Sequence, residues 1–62
     1  MIITLKDGSK REVQEGISVI DLAKEISEGL ARVATAGRVD GKVVDLRYNL
    51  NKDCNVEILT FD

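Results

Sequence analysis

The sequence predicts an α+β domain in which a mixed sheet of four to five strands packs on one helix, near residues 18–28. Three observations carry this. A single stretch has helical periodicity, the other apolar runs are short and alternating, and turn signals at Asp7-Gly8, Glu15-Gly16 and Asp40-Gly41 separate them.

Ile2 to Lys6 alternates aliphatic and polar residues, Asp7-Gly8 marks a turn, and Ser9 to Gln14 resumes an extended pattern, so the chain opens with a β-hairpin. Its register decides which side chains enter the core, because a slip of one residue exchanges the faces. A loop from Asp7 to Ser9, pairing Ile3 with Val13, is expected in preference to a two-residue turn. The shorter turn would set Ile3 and Leu5 on the face opposite Val13, and so small a chain has few aliphatics to leave outside.

In the predicted helix, Val19, Leu22, Ala23 and Ile26 recur at i, i+3, i+4 and i+7 and form one apolar stripe, while Asp21, Lys24, Glu25 and Glu28 fall elsewhere. Ser18 is placed to cap the first turn with Asp21 three residues on, and Ile17 to staple onto Leu22. Gly29 is expected to end the helix in the left-handed conformation that lacks of a Cβ permits. Val33 to Val39 reads as a strand whose small residues Ala34, Ala36 and Gly37 imply a closely approaching neighbour. Asp40-Gly41 and Lys42 to Val44 complete a second hairpin. Leu46 and Leu50 anchor a polar connection, and Asn55 to Phe61 is the last strand. The expected core joins Ile3, Leu5, Val13, Leu22, Ile26 and Ile58. The order β-β-α-β-(β)-β, with a right-handed crossover and the last strand parallel to the first, is that of the β-grasp, or ubiquitin-like, fold.

The chain has 62 residues, enough for one domain, and its net charge of −2 argues against a dedicated nucleic-acid or membrane-surface binder. Residues 32–47 depart from the average: Arg32, Arg38, Lys42 and Arg47 stand against Asp40 and Asp45. These four cations are the candidate nucleic-acid contacts. Tyr48 is the one aromatic near them, so a base-stacking platform is not expected. The alternative is a solvated sheet edge protected by charge.

There is no histidine and one cysteine, Cys54, flanked by Asp53 and Asn55. No catalytic residue and no metal site is expected: a general base has no partner, a lone cysteine makes no Zn²⁺ set, and a neighbouring carboxylate disfavours a thiolate. None of the five glycines forms a phosphate loop. The unpaired cysteine fits a reducing, cytoplasmic compartment. No apolar run approaches the ~20 residues of a membrane span, and the opening lacks a signal-peptide core, so no membrane association is expected.

The segment G-L-A-R-V-A-T-A-G-R-V-D-G-K-V-V-D-L, Gly29 to Leu46, resembles the N-terminal TGS domain of bacterial threonyl-tRNA synthetases. Leu5 to Ser9, Ile26 to Ala31 and the closing V-E-I-L-T-F-D agree in the same order, so the resemblance covers essentially residues 1–62 as one domain of a larger synthetase. Asp40 stands where the family often has Asn, and Thr35 where an aliphatic is common. The resemblance implies a ligand-binding, RNA-binding or regulatory module, without cofactors of its own, in a parent that joins threonine to tRNA with ATP, Mg and Zn held elsewhere. Its partners would be the remaining domains of the parent and, weakly, tRNA. TGS domains of stringent-response guanosine-polyphosphate synthetases and of GTPases are the alternative, although relatives there typically carry histidines near the helix end. A free sulfur carrier would need a terminal Gly-Gly, whereas this sequence closes Thr60-Phe61-Asp62.

Overall fold

A computed structural model describes residues 1–61. The elements are β1 (Ile2–Thr4), β2 (Lys10–Glu12), α1 (Val19–Ile26), α2 (Glu28–Val33), β3 (Ala34–Val39), β4 (Lys42–Val44) and β5 (Cys54–Thr60). The strands form one mixed sheet in the order β2-β1-β5-β3-β4, with β5 parallel to β1 and antiparallel to β3. This is the expected β-grasp arrangement.

The first hairpin departs from the expected register. Ile2, Ile3 and Thr4 pair with Glu12, Arg11 and Lys10, and the Val13 N–H donates to the Met1 carbonyl at 2.9 Å. The loop is Lys6 to Gly8: Gly8 N–H donates to the Leu5 carbonyl at 2.9 Å, and Leu5 N–H to the Ser9 carbonyl at 2.8 Å. Gly8 takes φ +90°, which suits a three-residue loop ending in a left-handed residue. This register lies two residues from the expected one, so the faces are preserved. Ile3 and Val13 are buried together, with Leu5 packed beside them. Arg11, facing inward opposite Ile3, reaches out to donate from Nη2 to the Glu25 carbonyl at 3.1 Å in the last turn of α1.

The single helix over 18–28 is also corrected, because the helical region is two helices broken at Ser27. Ser27 is extended (φ −170°, ψ 134°); its N–H closes α1 on the Ala23 carbonyl at 2.9 Å and its Oγ accepts from Leu30 N–H at 3.3 Å to cap α2. A serine whose hydroxyl caps a new helix competes with continuation of the old one. Gly29 therefore lies inside α2, and it is not among the residues with positive φ.

The start of α1 is fully accounted for. Ser18 Oγ accepts from Asp21 N–H at 3.2 Å, and the Val19 and Ile20 N–H groups donate to the Tyr48 and Leu46 carbonyls at 3.0 and 2.9 Å. The connection between β4 and β5 thus closes the helix end, and Leu50, exchanging hydrogen bonds with Gly16 and Ile17, is buried beneath it. The buried core is Ile3, Val13, Val19, Leu22, Ala23, Leu50 and Val56; the expected members Leu5, Ile26 and Ile58 pack against it half-buried. On β3, a Cβ at Gly37 would fall 2.7 Å from Val19 Cγ1, so the small residue there does reflect the close approach of α1. The β3–β4 turn has both central residues at positive φ, Asp40 at 49° and Gly41 at 87°. Asp tolerates this conformation, and Asp40 Oδ1 also accepts from Asn55 N–H at 2.9 Å.

Candidate functional site

The four basic residues singled out in the sequence do not converge. Arg32 is in the last turn of α2 and Arg38 near the far end of β3, so the length of that strand separates them. Val39 pairs with Lys42, which places Lys42 on the helix side of the sheet, while Arg38 pairs with Val43 on the open side. Arg47 lies in the β4–β5 connection with Nε 3.8 Å from Asp45 Oδ1, an exposed contact of little energetic weight.

Arg38 instead joins a charge cluster on the open face. Glu57 on β5 receives Arg38 Nη1 at 3.1 Å and Lys6 Nζ at 3.3 Å, one carboxylate bridging the tip of the first hairpin to β3. Glu57 is half-buried, Arg38 about half exposed and Lys6 largely exposed, so the cluster links the strands without excluding water from the cations. Between the two hairpin tips a concavity of about 400 Å³ is lined by Thr4, Lys6, Gly8, Arg38, Asn55 and Glu57. A second cleft, of about 470 Å³, opens on the helix side of β5. Leu5, Ile26, Leu30 and Ile58 supply its aliphatic wall, with Lys6 and Glu57 at its rim. The sequence marks Leu5, Ile26 and Ile58 as core. Their arrangement around a cleft follows from the break at Ser27, which swings Leu30 to the end of the sheet.

The turn beside this cleft is tied by Asp7, whose Oδ1 accepts from Ser9 Oγ at 2.6 Å and Ser9 N–H at 2.9 Å. Those bonds, the hydroxyl's foremost, hold the Asp7 carboxyl below its ordinary pKa. Burial, reinforced by the Asp40 and Asp53 charges and opposed by Lys52, pushes the Cys54 thiol up. A thiol so placed is a poor nucleophile. With one cysteine and no histidine, and no group of three metal-ligating residues together among the described residues, the donor set does not fit zinc. No helix is long and apolar enough to cross a membrane among the described residues.

The sequence pattern of the TGS domain family matches residues 1–60. The chain belongs to the TGS domain family. Its curated relatives include the threonine–tRNA ligases of Acetivibrio thermocellus, 60% identical over 60 residues, and Desulforamulus reducens, 58% identical. The threonine–tRNA ligase of Clostridium perfringens is 55% identical. Each alignment covers 97% of this TGS domain and 9% of the relative, whose N-terminal region it matches. The chain thus spans about a tenth of the length of these relatives.

Proposed function

We propose that this TGS domain is the non-catalytic N-terminal module of a threonine–tRNA ligase. The identity of 60% across 97% of the chain carries the reading. It favours a ligase parent over a stringent-response or GTPase module with a signalling role. In this reading ATP, Mg and Zn belong to the remainder of a cytoplasmic enzyme, and the module acts by docking on the other domains and by weak contact with tRNA.

The chemistry of the domain supports a supporting role. Activation of threonine needs cations held against phosphates and a shaped amino-acid pocket in a rigid setting. Here Lys6 and Arg38 are engaged with Glu57, the Cys54 thiol is held protonated, and the clefts are open and partly apolar. Removing residues 1–62 from the intact enzyme is expected to leave threonine-dependent ATP–pyrophosphate exchange largely unchanged. A fall of ~10³-fold in a folded truncated enzyme, the size of losing a transition-state donor, would overturn the reading.

Arg32, Lys42 and Arg47, with Arg38 paired to Glu57, support only scattered phosphate contacts. Neutralising about three phosphates gives log K a slope of roughly −2.7 against log[salt], so RNA binding by the domain should fade near physiological salt. Submicromolar binding that persists at high salt would contradict this.

A further inference from the structure

We propose that the part of β5 that outruns β1 is a docking edge for an extended segment of the same ligase chain, downstream of this domain; the inference rests on the ligase reading above. The pairing of β1 with β5 covers only Ile3 with Cys54 and Thr4 with Asn55, whereas β5 continues to Thr60. Asn55 accepts from Asp40 N–H at 2.8 Å and Phe61 N–H donates to Val33 at 2.9 Å, so the odd-numbered residues of β5 spend their backbone groups on β3. By the alternation of a strand, Ile58 and Thr60 turn theirs the other way, where no strand pairs with them among the described residues.

That open edge borders the aliphatic cleft of Leu5, Ile26, Leu30 and Ile58. The contrast with the outer strands is informative. β2 reads Lys10-Arg11-Glu12 and β4 begins at Lys42, each only three residues long, the short and charged form that discourages strand addition. Along the β5 edge itself Ile58 to Thr60 is uncharged, the charges of Lys6, Asp7 and Glu57 lying at the rim of the cleft. The edge offers both elements of strand addition, free main-chain groups and a pocket for an alternate side chain.

The occupant follows from length and position. The edge from Glu57 to Thr60 is only about 13 Å long, too short to hold a separate peptide against its loss of translational freedom. A tethered segment arrives at an effective concentration in the millimolar range and needs far fewer contacts. The relatives continue for ten times the length of this domain, and Thr60, the last residue of β5, itself lines the cleft. The downstream chain therefore leaves at the mouth of the groove. The segment that fits is extended and places one aliphatic side chain against Leu30 and Ile58.

The test is residue-resolved amide hydrogen exchange on the intact ligase carrying this domain, before and after proteolytic removal of the downstream chain. Expected is an Ile58 amide protected to within ~10-fold of its neighbours Glu57 and Leu59, with that protection lost on removal while the neighbours keep theirs. Leu30→Lys, which charges the cleft from a half-exposed position, and Thr60→Pro, which removes a donor on the cleft side only, should each speed Ile58 exchange by ~10-fold or more in the intact enzyme. Faster exchange at Ile58 in the unmodified enzyme overturns the proposal, as does protection that survives removal or arises only on adding tRNA. The wild-type comparison decides even if a variant fails to fold. Because exchange is read independently of ATP–pyrophosphate exchange, a bare edge would leave the ligase reading standing.

Discussion

Replacing Gly37 with Ala tests the packing on which the sheet–helix interface rests. A Cβ built there lies 2.7 Å from Val19 Cγ1, 3.2 Å from Cγ2 and 3.5 Å from Cβ. Ordinary carbon contacts lie at about 3.5–4.0 Å, so the first two are inside contact distance, one of them by nearly 1 Å. Val19 has nowhere to withdraw, being fully buried in the first turn of α1, and its N–H is tied to the Tyr48 carbonyl. Overpacking of this kind costs about 1–3 kcal/mol. Against it stands the ~0.4–1 kcal/mol that Gly→Ala contributes by restricting the unfolded chain. The net expectation is a loss of roughly 1–2 kcal/mol, or about 4–16 °C in Tm for a domain this small. Val19→Ala alone should cost about 2 kcal/mol for the buried methyl groups it removes. In the double variant the new methyl occupies vacated space, so the two changes should couple favourably by about 0.5–3 kcal/mol. Urea and thermal unfolding followed by circular dichroism supply all four corners of the cycle. A Gly37→Ala variant as stable as wild type, or strict additivity with Val19→Ala, would refute the close approach.

The break between α1 and α2 makes opposite predictions for adjacent residues. Ser27→Ala should destabilise by about 0.5–2 kcal/mol through loss of the cap, whereas Gly29→Ala, at a helical position where the new Cβ meets only Ser27 Oγ at 3.5 Å, should be neutral or stabilising by up to ~1 kcal/mol. Loss of stability in Gly29→Ala, read by urea unfolding, would restore the left-handed cap expected from the sequence. At the first hairpin, the Asp7 carboxyl is held below its ordinary pKa in the fold, so its contribution to stability is present above the unfolded value, ~3.9, and is lost as pH falls through the folded one. An NMR titration should find Asp7 low and Ser9→Ala should return it toward the ordinary range. An unchanged midpoint in Ser9→Ala would show that the Ser9 hydroxyl does not hold the Asp7 carboxylate.

The sequence by itself determined the architecture, because each signal is local or periodic. The Val19, Leu22, Ala23 stripe requires a helix buried on one side, Asp40-Gly41 requires a two-residue turn with positive φ, and Gly37 leaves room for a helix to approach. The order of elements then leaves the last strand a place beside the first. The family was legible for the same reason, since the residues that carry the resemblance run through the turns and the close-packed strand.

Tertiary structure decided what local signals leave degenerate. Loops of Asp7–Ser9 and Lys6–Gly8 place Ile3, Leu5 and Val13 on the same face, and alternation does not distinguish registers that differ by two residues. Gly29 satisfies the pattern of a helix end, yet Ser27 takes that role because its hydroxyl caps α2 while its N–H closes α1. Of the basic residues of 32–47, Arg32 falls on α2 and Arg47 in the β4–β5 connection, Arg38 and Lys42 take opposite faces because alternate strand positions point in opposite directions, and Glu57, distant in sequence, captures Arg38. The cleft beside β5 is likewise a tertiary product. Ile26 and Ile58 each read as core, and only the mismatch in length between β1 and β5 leaves them, with Leu30, lining an open edge.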